Sequence, residues 1–242
     1  MFLNWNIIVI ILSNSNEFLS IQNIEYESLG MFKDFLLSDG FRITEVLSSK
    51  EKIPTNIKNF DAIFILGGPM SANDEYEYLE KEQQLVVDAI NSKIPVLGIC
   101  LGSQIIANSC GGKVYKGLKK EIGWGPVDIT EAGKGSLFKG VDNRKIEVFH
   151  WHGDTFYLPS EAKILSYSDT YIQGFKYKTA FGIQFHLEVT KPMILEWIQE
   201  YQLEILDEKI NEQDLLFNID DRVKELNKYS KIVYDNFKLL LK

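Results

Sequence analysis

The run Pro95-Val96-Leu97-Gly98-Ile99-Cys100-Leu101-Gly102-Ser103-Gln104 constrains the fold of this chain more than any other segment. Apolar, β-prone residues lead into a cysteine framed by two glycines, and a helical pattern starts straight after it. So abrupt a change from strand to helix is the layout of a nucleophile elbow, which lifts one reactive side chain above the end of a sheet. Gly98 and Gly102 leave room at the bend, where a Cβ would meet neighbouring backbone. The following helix points its unpaired N–H groups and positive dipole end at the sulfur, which favours a thiolate. These residues present Cys100 as a candidate nucleophile.

Strand and helix alternate around the elbow. Strands are expected over residues 6–13, 41–47, 61–66 and 94–99, with helices over 26–38, 76–92 and 101–110. Leu79, Leu85, Val86, Ala89 and Ile90 form an apolar stripe on the second helix. Such alternation implies an α/β fold, a mostly parallel open sheet with helices on both faces and ligands at the carboxyl ends of its strands. From Lys113 the texture changes to short strands over 113–116, 127–130, 146–149, 164–167, 171–177 and 180–185. They read as a small antiparallel extension that returns the last strand to the active edge. Residues 192–242 read as charged C-terminal helices, with Ile219, Val223, Leu226, Tyr229, Val233, Phe237 and Leu240 at helical spacing. One domain is expected over 1–242, with a core over about 6–190 and a helical extension over 191–242.

Composition narrows the function. A net charge of −8 argues against a nucleic-acid or anionic-membrane partner. Two cysteines make a disulfide framework implausible and fit a reducing, cytoplasmic setting. The apolar opening Trp5-Asn6-Ile7-Ile8-Val9-Ile10-Ile11-Leu12 lacks a basic start and a small-residue cleavage site, and is too short to span a bilayer. It reads as the first buried strand. There is no Gly-x-x-x-x-Gly-Lys loop, and no cofactor is expected.

The chain has three histidines, in two short segments: Phe149-His150-Trp151-His152-Gly153-Asp154 and Gly182-Ile183-Gln184-Phe185-His186-Leu187-Glu188. His186 and Glu188 fall at the C-terminal end of a strand, where residues i and i+2 face one side. A cysteine, a histidine and a carboxylate supply a nucleophile, a base and a group that orients the base. His150 and His152 share the i, i+2 relation but have no third ligand at metal-site spacing in the sequence, so no metal is expected. Asp154 reads as a loop brace and Cys110 as inert packing.

Gly98-Ile99-Cys100-Leu101-Gly102-Ser103-Gln104, Gly67-Gly68-Pro69 and Gln184-Phe185-His186-Leu187-Glu188 together resemble the class I (triad) glutamine amidotransferases. His152-Gly153-Asp154 makes the chain most similar to the stand-alone members related to the glutaminase part of GMP synthetase, over residues of about 6–190. Leu187 departs from the pattern, since many members carry proline between the histidine and the acid.

The resemblance implies a flavodoxin-like fold and a catalytic triad of Cys100, His186 and Glu188. It implies an oxyanion hole from the N–H groups of Gly68 and Leu101, and substrate contacts at Gly67, Gln104, Trp151 and His152. The implied substrate is L-glutamine, with a synthetase or other ammonia-accepting protein as partner. Three alternatives stay open. A γ-glutamyl peptidase acting on glutathione-like conjugates would use the same thioester chemistry. A non-enzymatic regulator would not need all three triad residues. The thiol peptidases and chaperones of related flavodoxin-like families generally place histidine directly beside the elbow cysteine, where this chain has Leu101.

Overall fold

The computed structural model describes residues 16–241, so the strand expected over 6–13 lies outside them. The strands are β1 (Glu17–Gln22), β2 (Arg42–Leu47), β3 (Ala62–Ile65), β4 (Val96–Ile99), β5 (Lys113–Ile129), β6 (Lys145–Tyr157), β7 (Lys163–Tyr167), β8 (Ile172–Tyr177) and β9 (Ala180–Ile183). The helices are α1 (Met31–Ser38), α2 (Glu77–Ser92), α3 (Leu101–Ser109), α4 (Glu131–Lys134), α5 (Lys191–Glu200), α6 (Gln202–Asp207), α7 (Glu212–Leu216) and α8 (Ile219–Lys238).

Among the described residues the strands form one nine-stranded sheet in the order β2-β1-β3-β4-β9-β8-β7-β5-β6. Neighbours from β2 to β9 pair in parallel, and neighbours from β9 to β6 pair antiparallel. β1 joins β2 to β3 although its sequence, Glu-Phe-Leu-Ser-Ile-Gln, breaks the apolar pattern with a serine. Ser20 is buried all the same.

Alternation along the parallel strands feeds two cores. Phe18 and Phe64 face the layer of α1 and α8, where they meet Phe32 and Phe237. Leu19, Ile63 and Ile65 face α2 and α3, with Leu79, Val86 and Ile105. The expected stripe of α2 is buried in full. Ile219, Val223, Leu226, Val233 and Phe237 seat α8 in the first core, while Leu240 lies beyond the helix and stays exposed.

Three expectations change, the first being that the strand expected over 146–149 runs on through the histidine segment as β6 (Lys145–Tyr157). The stretches 113–116 and 127–130 belong to one long strand, β5, whose register against β6 shifts between Lys116 and Glu121. Its central lysines and glycines read as a loop, but cross-strand pairing with β6 overrides that weak local signal. α1 begins at Met31, five residues past the expected start. Gly30 has a φ of 47°, and a Cβ there would stand 2.1 Å from the Glu188 carbonyl oxygen. Residues 26–30 are thus a loop pressed onto the segment carrying His186 and Glu188.

α2 also buries Glu82 completely, against Ser48 and Asn23. Burial pushes its carboxyl up to about 8. The folded state keeps a proton that the unfolded chain loses near the ordinary value of 4.5. This contribution to stability is present below that value and is lost as pH rises toward 8, by up to about 1.4 kcal/mol per pH unit. Glu82→Gln should therefore gain in melting temperature over the wild type progressively between pH 5 and 8. A difference that stays constant across that range in thermal scans would contradict this role.

Candidate active site

β4 delivers the chain to the elbow and α3 leaves it one residue later. Cys100 takes a φ of 51° and a ψ of −109°, a conformation costing a residue with a side chain roughly 1–3 kcal/mol. Surrounding contacts hold it there. The Cys100 N–H donates to the Ile183 carbonyl at 2.8 Å, tying the elbow to β9. The Ser103 and Gln104 N–H groups and the Ser103 hydroxyl donate to the Cys100 carbonyl. A Cβ on Gly98 would lie 2.4 Å from the Gly102 carbonyl oxygen, and one on Gly102 would lie 2.0 Å from that of Ile65. Only glycines let α3 sit this close to β3 and β4. Leu101 is the first residue of α3, so its N–H has no partner within the helix.

β9 ends at Ile183, and the chain runs on through His186 and Glu188. The His186 N–H donates to the Phe149 carbonyl at 2.8 Å, which draws the middle of β6 over the end of β9. His186 Nδ1 and Glu188 Oε1 are 2.6 Å apart. The Cys100 thiol lies near enough to the ring for each group to shift the other's proton affinity. All three side chains are buried. Leu187 stands where many relatives of this pattern have proline, yet the backbone here is braced from outside. The Ser230 hydroxyl of α8 donates to the Leu187 carbonyl, and the Met31 N–H donates to the Glu188 carbonyl.

The electrostatics follow from burial and proximity. Burial pushes the Cys100 thiol up, and the His186 charge pulls it back. Desolvation disfavours a charged His186, but Glu188 and then Cys100 outweigh it and hold the imidazole well above its ordinary value. The pair thus has a strongly held imidazolium beside a sulfur that becomes a thiolate by giving up its proton. Cys110 lacks such a partner, and burial pushes its thiol up to about 12.

A cavity of about 370 Å³ opens over Cys100. Gly68, Gln104, Trp151 and His152 line it, as does Asp154. The Trp151 carbonyl faces the Cys100 sulfur at 3.5 Å. Gln104 is braced by the Asp154 carbonyl and Gln184. The His152 ring contacts the Asp154 carbonyl at 3.1 Å and Glu121 at 3.0 Å, so its nitrogens are engaged within the wall. Asp154 accepts from Ser71, as a loop brace would. Gly67 lies between Glu27 and His186, where a Cβ would be 2.0 Å from the Glu27 carboxylate.

Four residues at the site were not singled out in the sequence. The β1–α1 loop brings Glu27 to the cavity wall, where Tyr201 donates to it at 2.6 Å. Burial raises the Glu27 carboxyl to about 7, against the charge of His186 and the Tyr201 hydrogen bond. Trp197 of α5 packs edge-on against His186, with ring centres 4.7 Å apart. Glu204 of α6 accepts from the Trp151 indole at 2.9 Å and pairs with Lys120 at 2.6 Å. The C-terminal helices are therefore part of the site's wall. No local motif marks these residues; only the docking of α5 and α6 brings them in.

The glutamine amidotransferase class-I family matches residues 34–194. The chain is 31% identical over 192 residues to the glutamine amidotransferase-like protein YfeJ of Salmonella typhimurium, covering 75% of this chain and 80% of that protein. It is 34% identical over 154 residues to the glutamine-hydrolysing GMP synthase of Borreliella burgdorferi, covering 62% of this chain and 30% of the synthase. Two crystal structures of glutamine amidotransferases superpose closely. That from Thermotoga maritima has a TM-score of 0.85 and 34% identity, covering 91% of this chain and 97% of its own. That from Methylobacillus flagellatus has a TM-score of 0.88 and 26% identity, covering 94% and 96%.

Proposed function

Because the chain belongs to the class I glutamine amidotransferase family, we propose that it hydrolyses the side-chain amide of L-glutamine through a γ-glutamyl thioester on Cys100. The observation that carries this reading is the buried array of Cys100, His186 and Glu188 at the floor of an amino-acid-sized cavity. A volume of about 370 Å³ lies at the low end of small-molecule sites, roughly 300–1,000 Å³.

The Cys100 thiolate attacks the amide carbon. The oxyanion lies against the N–H of Leu101, at the start of α3, and that of Gly68. Donors fixed before the charge develops are effective, and losing one typically costs about 3–4 kcal/mol. The His186 imidazolium gives its proton to the nitrogen as the C–N bond breaks and ammonia leaves. His186, now neutral, takes a proton from water as that water attacks the thioester, and glutamate departs with the thiolate restored. Glu188 holds the imidazole in one tautomer throughout. Lys116, Lys120, Glu27 and Glu204 give the cavity both signs of charge, which suits a zwitterionic amino acid. The ammonia goes to a separate acceptor enzyme, of the kind with which GMP synthases combine their glutaminase part.

Ammonia release by the isolated protein tests this directly, with L-glutamine and glutathione offered in parallel. Release from glutamine that depends on Cys100 is expected. Cleavage of glutathione with no release from glutamine would replace this reading by a γ-glutamyl peptidase.

Glu27 gives a second expectation. Above its value of about 7 it is ionised and supports the His186 imidazolium. Glu27→Gln removes that charge while leaving an acceptor for Tyr201. His186 then loses its proton at lower pH, so the alkaline limb of kcat/KM moves acidward by about half to one pH unit. A pH profile identical to the wild type would remove Glu27 from the site's electrostatics.

A further inference from the structure

Beside the active-site wall, the β5–β6 hairpin gathers three metal-ligating side chains. Pairing sets Glu121 opposite His152, and Gly123 opposite His150, so all four face one side of the ribbon. One ligand atom from each of Glu121, His150 and His152 lies within 4.8 Å of the other two. His152 Nε2 is 3.0 Å from Glu121 Oε2, and His150 Nδ1 is 3.9 Å from it. The third ligand was invisible in the sequence because Glu121 is supplied by cross-strand register, not by local spacing.

We infer that Glu121, His150 and His152 form a binding site for one divalent cation of the zinc type. His150 Nδ1 is buried and has no hydrogen-bond partner, although the ring is only 3% exposed. An orphaned buried nitrogen is costly unless something binds it. The far edge of its ring lies beside Gly125, and His152 Nδ1 faces the Asp154 carbonyl at 3.1 Å. Nδ1 of His150 and Nε2 of His152 both face Glu121 Oε2, and a cation there would take the place of the proton in the His152–Glu121 hydrogen bond. With the cation bound, His152 Nδ1 would donate to the Asp154 carbonyl, the backing that metal-binding histidines commonly have. Tetrahedral zinc with bonds of ~2.0–2.1 Å needs ligand separations of ~3.3 Å, which the observed 3.0 and 3.9 Å bracket. Gln173 offers a fourth ligand. Its Oε1 is buried without a partner, and its amide nitrogen lies 2.6 Å from Glu121 Oε2. Turning that amide places the oxygen toward the cation.

The cation would clip β5 to β6 on either side of Trp151, whose carbonyl faces Cys100. It would stiffen the pocket wall without touching the reacting atoms.

The test uses the full chain with Cys100→Ser and Cys110→Ser, so that no thiol can bind metal. After removal of metal by chelator, cobalt(II) is titrated and followed by its visible absorption, and zinc by displacement of that band. One equivalent is expected, with zinc raising the melting temperature. Glu121→Gln and His150→Leu, each in that background, should weaken binding by at least about a hundredfold. If His150→Leu does not fold, Glu121→Gln alone decides. Absence of a stoichiometric band, or binding unchanged in a folded variant, would overturn the site.

Discussion

A Cys100→Ala variant should lose ammonia release from L-glutamine by roughly 10⁴- to 10⁶-fold, with almost no change in fold. The size of the loss follows from the nature of the step. Without the sulfur there is no thioester, and the only route left is direct attack by water on an amide. His186, Glu188 and the oxyanion donors act as a unit around that nucleophile, so what they retain on their own is small. The stability effect is small for a different reason. Cys100 contributes one buried sulfur whose polar contacts are His186 and the Trp151 carbonyl. Its backbone is fixed by Ile183, Ser103 and Gln104 through main-chain groups that alanine keeps. The positive φ is carried equally by both residues. Thermal unfolding within a few degrees of wild type, beside abolished turnover, is the expected pattern. Substantial residual turnover would remove Cys100 from the nucleophile's role.

The second large effect falls on the scaffold. Gly102→Ala would place a methyl carbon 2.0 Å from the Ile65 carbonyl oxygen. That oxygen is main chain in the sheet, and Gly102 is main chain in the first turn of α3, so neither can swing aside. α3 must lift from β3, and the elbow moves with it. Overpacking that cannot relax costs about 3 kcal/mol or more. For a domain of this size the melting temperature should fall by roughly 6–12 °C, with activity lost in proportion to the displacement of Leu101. Gly111→Ala is the control: it has a φ of 85° but nothing near its Cβ position. It should cost only about 1–2 kcal/mol. Equal melting temperatures for the two variants would contradict the account of why the elbow needs its glycines.

The elbow was legible in the sequence because everything that makes it is local. A β-prone run, two glycines and a helix start lie within ten residues. His186 and Glu188 were picked out from a strand expected to reach residue 185; β9 ends at Ile183, and contacts of their backbone with Phe149 and Met31 hold them instead. Glu27, Trp197, Tyr201 and Glu204 were not legible. Each reaches the site through docking of a distant element, and none carries a spacing pattern. The start of α1 was misplaced because Gly30 is held in a turn by a carbonyl from Glu188, over 150 residues away. Long β5 was read as two short strands because its lysines and glycines lack β-propensity, and pairing along its length with β6, and at its end with β7, keeps it extended. The strand expected over 6–13 lies outside the described residues, and β1 (Glu17–Gln22) fills the inner position between β2 and β3. Among the described residues no helix is long and apolar enough to cross a membrane.

The central claim is that glutamine's acyl group passes through Cys100. The most direct measurement is acid quenching of the protein during turnover of L-glutamine, followed by peptide mass spectrometry. A γ-glutamyl adduct on the peptide carrying Cys100, absent from the Cys110 side chain and discharged on longer incubation, is the expected result. Ammonia released with Cys100 unmodified at every time point would contradict it.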